Sequence, residues 1–192
     1  MKKHDYLKLI FSKAGKQTSL VRFEEKHLPN LLDAKAAIIG SKLYEGSTDR
    51  RNRYREAVGL DIQAGEGVDY VLDICNPNQI PQKLWFSFDH IDCLSVLEHV
   101  EDPFMAAATI SNLSCVGGTI LLSVPFCWRY HGYPGDYWRF TIQAVEKLFP
   151  SVNWDQLCYM ARGVKVDRIP HLDTKFGTFY MKTEVYGFGR FV

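Results

Sequence analysis

The sequence predicts an α/β fold: a Rossmann-like, doubly wound, mostly parallel sheet with an antiparallel hairpin at its C-terminal edge. Three observations predict it. Short apolar runs alternate with helix-like stretches between residues 36 and 149, the pattern of parallel strands joined by crossovers. Three acids, Asp61, Asp73 and Glu98, follow successive apolar runs, where a parallel sheet presents its carboxyl ends. Beyond residue 150, two strand-like runs, 154–169 and 177–191, are separated by turn residues, as in a hairpin.

The first strand is placed at 36–40 and the second at 57–61. Between them, "SKLYEGSTDRRNRYRE" reads as a turn followed by a helix. The arginines of that helix (Arg50, Arg51, Arg53, Arg55) spread over more than one face between Asp49 and Glu56, which suits a solvated surface better than an anion or RNA site. Further strands are placed at 70–72, 90–95 and 118–124. The stretch "DPFMAAATISNLSCVGG" between the last two predicts a helix started by Asp102 and Pro103 and stopped by Gly117 and Gly118. The segment 125–140, "PFCWRYHGYPGDYWRF", is rich in aromatics, glycine and proline and reads as an irregular loop on the substrate side. Long loops in compact domains are commonly functional. A helix over 141–149 follows, with Thr141 as its N-cap. Residues 1–30 form a helix-containing preface or, in part, a flap.

With 192 residues, the chain has the length of one domain, 1–192, with a full core. Hydrophobic residues make up 46% and charged residues 23%, a globular balance that favours neither disorder nor a membrane class. The formal net charge of +1 supplies no broad positive field, so nucleic acid is not an expected partner. No stretch reaches the roughly 18 uninterrupted apolar residues of a spanning helix, and the expected location is cytoplasmic. The five cysteines (Cys75, Cys93, Cys115, Cys127, Cys158) form no CxxC pair and read as reduced core residues. Neither they nor His4, His27, His90 and His171 show ligand spacing, so no metal is expected.

Asp61 closes the second strand about 20 residues after Gly40, the interval at which an acid accepts hydrogen bonds from a ribose diol. Asp73 closes the third, where it can accept from an exocyclic amine such as that of adenine, with the Ile74 backbone beside the ring. A strand-end acid also serves as a turn former or cap, so no single one decides the matter. The G-x-G-x-x-G turn of nicotinamide enzymes is absent after the first strand.

The segments "IIGS", "GLDI", "VLDIC", "DCLSVLEHVEDP", "GGTILLSVPF" and "HGYPGDYWRFT" together resemble the class I S-adenosylmethionine-dependent methyltransferases of the type 11-like group, over about residues 36–149. The resemblance implies S-adenosylmethionine as cofactor and a small-molecule or sugar-containing acceptor. By position it implies Gly40 and Ser41 at the start of the cofactor loop and Asp61 with Ile62 at the ribose. It likewise puts Asp73 with Ile74 at the adenine, and Ser95 and Leu97 near the sulfonium. The family's glycine-rich first motif is only partly met: Ile38 stands where an acid is usual, and Lys42 and Tyr44 where small residues are usual. That departure keeps open a second reading, a non-catalytic module with the methyltransferase fold.

Methyl transfer to a hydroxyl requires alignment and loss of a proton. His131 lies among Tyr133, Tyr137 and Trp138, an aromatic wall able to exclude water and orient a ring or sugar. It is one candidate base and His99 is a second. Asp136 can orient His131 or act itself, and Arg139 can meet a carboxylate or phosphate of the substrate. The alternative is that Asp136 and Arg139 pair with each other and pin the loop while the aromatics fill a core.

Overall fold

The structure, a computed structural model, describes residues 31, 33–47, 49–132, 134–161, 164–166 and 182–192. The predicted preface, 1–30, and the histidines His4, His27 and His171 lie outside them. Eight strands of the described residues form one sheet: β1 (Lys35–Ile39), β2 (Glu56–Asp61), β3 (Tyr70–Val71), β4 (Phe88–Leu94), β5 (Ser114–Trp128), β6 (Val152–Ala161), β7 (Val164–Val166) and β8 (Lys182–Phe191). Their order is β3-β2-β1-β4-β5-β8-β6-β7. The first five strands pair in parallel, and β8 runs antiparallel to both β5 and β6. The chain winds outward from β1 to β3 and resumes on the other edge of β1 with β4, which is the predicted double winding.

The antiparallel C-terminal strands are present as predicted, with one difference of placement. The last strand does not lie at the margin; β8 inserts between β5 and β6, and β7 forms the edge. Val185 on one face of β8 and Tyr186 and Phe188 on the other are all buried, and a strand apolar on both faces is stabilised by neighbours on both sides.

Alternation along β1 sorts its side chains in the same way. Ala37 and Ile39 join the larger core, which also holds the helices, whereas Ala36 and Ile38 join a smaller one on the opposite face. Helix α1 (Pro103–Leu113) starts where the sequence predicts, with the Asp102 carboxylate accepting from the amides of Phe104 and Met105 at 3.0 Å each. It buries Ala106, Ala107, Ile110 and Leu113, one helical face, against the sheet. The helix ends before the predicted glycine stop, because Ser114 already pairs with Phe88 of β4. Gly117, at φ +78°, falls instead in the irregularity that resets the β4–β5 register. Helix α2 (Ile142–Leu148) is capped by Thr141, whose hydroxyl accepts from Ala144 N at 3.1 Å.

Two further expectations are corrected. β5 runs on to Trp128 and absorbs the start of the segment expected to be irregular, with Pro125, which has no N–H to donate, at a register shift against β8. Between β1 and β2 the described residues hold no α-helix, only one 3-10 turn at Arg50–Arg53. The arginines explain this: Arg50 reaches the buried Asp92 of β4 at 2.6 Å, and Arg51 forks back onto Asp49. Partners off the helix axis outweigh regular solvated packing for so short a segment.

Asp92 also accepts from the hydroxyl of Tyr54 at 2.9 Å, so the smaller core encloses a polar cluster. Beside it His90 is fully buried, its Nδ1 2.8 Å from the hydroxyl of Thr119 and its ring between Tyr54 and Phe188. Burial, reinforced by the charge of Arg50, lowers the His90 pKa to about 3 from the ordinary 6.5. The folded protein therefore holds His90 neutral, while the unfolded chain protonates it once pH drops below about 6.5. Stability contributed by this group is complete above that pH and is lost toward pH 3 at about 1.4 kcal/mol per pH unit. Burial raises the Glu98 pKa to about 8, which gives a slope of opposite sign over the same range, so the test is the difference: between pH 7 and pH 5, urea unfolding should show the wild type losing stability relative to His90→Gln. An equal slope in both proteins would show that His90 is not the group responsible.

Candidate active site

The carboxyl ends of β1 to β4 open into a cavity of about 620 Å³, within the roughly 300–1,000 Å³ of small-molecule sites. Ile39, Leu60 and Leu72 give it an apolar floor at the ends of the first three strands. Gly40, at φ +69°, turns the chain out of β1, and a side chain there would meet Val96 at 2.6 Å. Only glycine fits without strain. Ser95, which follows β4 and also lines the cavity, holds a left-handed φ of 53°, a costly conformation for serine that is fixed here by the hydrogen bond its N–H donates to the Ser123 carbonyl at 2.9 Å.

Asp61 lines the cavity, and its two oxygens accept one amide each, from Lys42 at 3.0 Å and Gln63 at 2.9 Å. Both retain a lone pair for a further donor. The unusual residues of the preceding loop have found partners in the cavity wall. Lys42 Nζ donates to Gln63 Oε1 at 2.7 Å and lies 5.4 Å from the centre of the Tyr44 ring, which forms part of the cavity wall. Side-chain ties to the exit of β2 thus shape a loop that lacks the usual glycines. One strand over, Asp73 accepts from Cys75 N at 2.8 Å through Oδ1, and among the described residues no N–H donates to its other oxygen.

Of the predicted cofactor residues, Gly40, Asp61, Ile62, Asp73, Ile74 and Ser95 line the cavity. Ser41 and Leu97 do not. Ser41 is buried where its hydroxyl packs against Gly59, and Leu97 is fully buried in the larger core because the 3-10 turn Leu97–His99 points it inward.

The same turn presents His99 to the cavity, and the 130–139 segment is laid over it. Tyr137 N donates to the Glu98 carbonyl at 2.7 Å, Trp138 Nε1 donates to the Val100 carbonyl at 2.9 Å, and His99 Nδ1 lies 2.6 Å from the Gly135 carbonyl. Within the segment Asp136 takes both Arg139 guanidinium nitrogens, at 2.5 and 2.8 Å, and the His131 amide at 2.8 Å. The Arg139 fork holds the Asp136 carboxyl well below the usual carboxylate range. The remaining donors of Arg139 go to the carbonyls of Trp128, Arg129 and Trp138. Arg139 is therefore a clamp on this loop and is not placed to bind a substrate anion, and the Asp136 side chain is shielded from solvent. Tyr137 lines the cavity and Trp138 stands partly exposed at its margin, whereas Tyr133 lies outside the described residues.

His131 does not line the cavity but sits behind His99, their ring centres 5.0 Å apart. Glu98, read from the sequence only as a strand-end acid, completes this group. Its carboxylate is buried, 3.8 Å from His99 Nε2 and 3.5 Å from His131 Nε2. Burial pushes the Glu98 pKa up to about 8, and it lowers that of His99. The adjacency of Glu98 and His99 in "LEHV" was visible in the sequence; the burial that makes the acid unusual was not. None of the five cysteines forms a disulfide, and two of them are buried. No described helix is long and apolar enough to cross a membrane.

No family model and no curated protein matches the sequence. Solved structures do match the fold. The 1,6-didemethyltoxoflavin-N1-methyltransferase of Burkholderia thailandensis, solved with 1,6-didemethyltoxoflavin and S-adenosylhomocysteine, aligns over 98% of this chain and 83% of its own with a TM-score of 0.59 at 12% identity. The N-methyltransferase NodS of Bradyrhizobium japonicum, in complex with S-adenosylhomocysteine, aligns over 97% of both chains with a TM-score of 0.57 at 12% identity. An S-adenosylmethionine-dependent methyltransferase of Mesorhizobium loti aligns over 90% of this chain and 97% of its own, with a TM-score of 0.58 and 12% identity. The double winding about β1, the acids at consecutive strand ends and these likenesses agree: the chain has the fold of the class I S-adenosylmethionine-dependent methyltransferases.

Proposed function

We propose that the protein is an S-adenosylmethionine-dependent methyltransferase that methylates a hydroxyl oxygen of a small-molecule or sugar-containing acceptor. The observation that carries this reading is the arrangement of one cavity, with Asp61 and Asp73 at one end and His99 and Tyr137 at the other. The donor set fits the cofactor. Two carboxylate acceptors with unused lone pairs suit a ribose diol and an exocyclic amine, and the apolar floor suits a flat ring. The Burkholderia and Bradyrhizobium proteins hold S-adenosylhomocysteine on the same fold, which supports the assignment.

When bound, S-adenosylmethionine supplies a methyl group on a sulfonium, whose S–C bond breaks with its electron pair going to sulfur. The protein must bring the acceptor oxygen into line and assist loss of its proton. Tyr137 and Trp138 give the acceptor an aromatic rest at the mouth of the cavity. Ser95 and the turn after β4 separate the two ends, and His99, backed by Glu98 and His131, faces the acceptor and promotes deprotonation. The second reading, a binding module without turnover, is favoured by one feature: Lys42 and Tyr44 occupy positions of a cofactor loop where small residues are usual.

Affinity and turnover separate these readings. Asp61→Ala should weaken S-adenosylhomocysteine binding by on the order of 30-fold or more, as expected for lost hydrogen bonds to a charged acceptor. Thermal-shift titration measures this, and unchanged affinity would remove Asp61 from the site. His99→Ala should hold that affinity within about twofold and lower methyl transfer by roughly 100-fold. Methyl transfer from radiolabelled cofactor into an acceptor panel reads the second effect. Binding without transfer to any acceptor would favour the module.

A further inference from the structure

We infer that Glu98, His99 and His131 form a binding site for one divalent transition-metal ion at the acceptor end of the cavity. No metal-ligand spacing marks them in the sequence, because these residues come from two loops that only the fold brings together. One carboxylate oxygen and one nitrogen from each histidine lie within 4.8 Å of one another. The gaps from Glu98 Oε1 to the two Nε2 atoms, 3.8 and 3.5 Å, are each shorter than the roughly 4.2 Å spanned by two metal–ligand bonds of about 2.1 Å. Each of these gaps suits two ligands of one ion, and the two histidine nitrogens, within 4.8 Å of each other, need at most a small ring rotation to share it.

The second observation concerns the rings. His99 Nδ1 faces the Gly135 carbonyl at 2.6 Å, and His131 Nδ1 faces the Arg129 carbonyl at 3.0 Å with Asp136 close behind at 3.4 Å. A carbonyl can only accept, so each Nδ1 carries a hydrogen, and each ring turns its Nε2 toward Glu98, the nitrogen that is left to ligate a metal. Backing of Nδ1 by an oxygen is how proteins orient a metal-binding histidine. The third observation is the acid itself. Glu98 is buried, its Oε2 has no hydrogen-bond partner, and Arg139, the neighbouring cation, is committed to Asp136. A buried carboxylate left with an unpartnered oxygen is poorly stabilised without a cation.

Two imidazoles and one carboxylate suit zinc and its first-row neighbours, and three protein ligands leave coordination positions open. His99 lines the cavity, so an open position is available to the acceptor. This role rests on the methyltransferase reading; the site itself does not. In that role the acceptor hydroxyl coordinates the ion, its pKa falls and its proton passes to water. The oxygen then forms the new O–C bond as the S–C bond breaks. The histidine cluster thus acts by holding the ion and not as a free base.

The test uses tag-free, full-length protein, stripped with a chelator and titrated with cobalt(II), whose visible absorption reports its ligands. The wild type should take up one ion per chain with visible bands of histidine and carboxylate coordination. Glu98→Gln and His131→Ala should each weaken uptake tenfold or more. Asp73→Asn, altered at the other end of the cavity, should keep it. A folded wild type that takes up no cobalt, or variants that bind it as the wild type does, would overturn the site. Parallel titration with S-adenosylhomocysteine keeps the two claims apart. Cofactor binding without cobalt binding removes only the metal site, and cobalt binding without cofactor binding removes only the methyltransferase reading.

Discussion

Because the chain leaves β1 toward β2 and β3 and returns to pair β4 with the opposite edge of β1, the connections beyond these strands must diverge. Helices and loops that cross in opposite directions cannot cover the carboxyl ends at the point of reversal. The cavity is that uncovered place, and its chemistry follows from which residues end each strand. Gly40 turns out of β1 without a side chain, Asp61 and Asp73 end β2 and β3, and Ser95 bends the chain after β4 in a left-handed conformation. The apolar cores on the two faces of the sheet hold these ends in register.

A second constraint acts from outside the sheet. The Arg139–Asp136 fork closes the 130–139 segment on itself, and bonds from Tyr137, Trp138 and Gly135 fasten it to the turn that carries Glu98 and His99. Without that fastening, His131 would have no reason to stand behind His99. One ion pair therefore sets which residues stand at the His99 end of the cavity. Ion pairs of this kind matter less for global stability than for fixing a loop in one geometry.

Much of the fold was legible in the sequence, since burial on both faces of a parallel strand produces continuous apolar runs and strand ends attract turn-forming acids. β1 to β5 and the caps Asp102 and Thr141 were readable for this reason. The missing β1–β2 helix was not, because Arg50 is drawn to Asp92, a residue distant in sequence. The insertion of β8 between β5 and β6 was equally hidden, as pairing partners in a sheet are not written in local pattern. The placement of Asp61 and Asp73 at strand ends, where they line the cavity, was legible. Residues that act through another were misread: Arg139 looked like an anion binder and Leu97 like a cavity residue, because sequence shows neither a partner nor a direction. Glu98 was noticed without its importance, which comes from burial and from His131 in a different loop.

The central claim, that the cavity at the reversal point holds S-adenosylmethionine, is tested most directly by calorimetric titration of the wild-type protein. S-adenosylmethionine and S-adenosylhomocysteine would be compared with a nicotinamide dinucleotide. One site per chain for the first two, with micromolar affinity and no heat from the dinucleotide, is the predicted result. Absence of binding by either adenosyl compound to the folded protein, or preference for the dinucleotide, would contradict it.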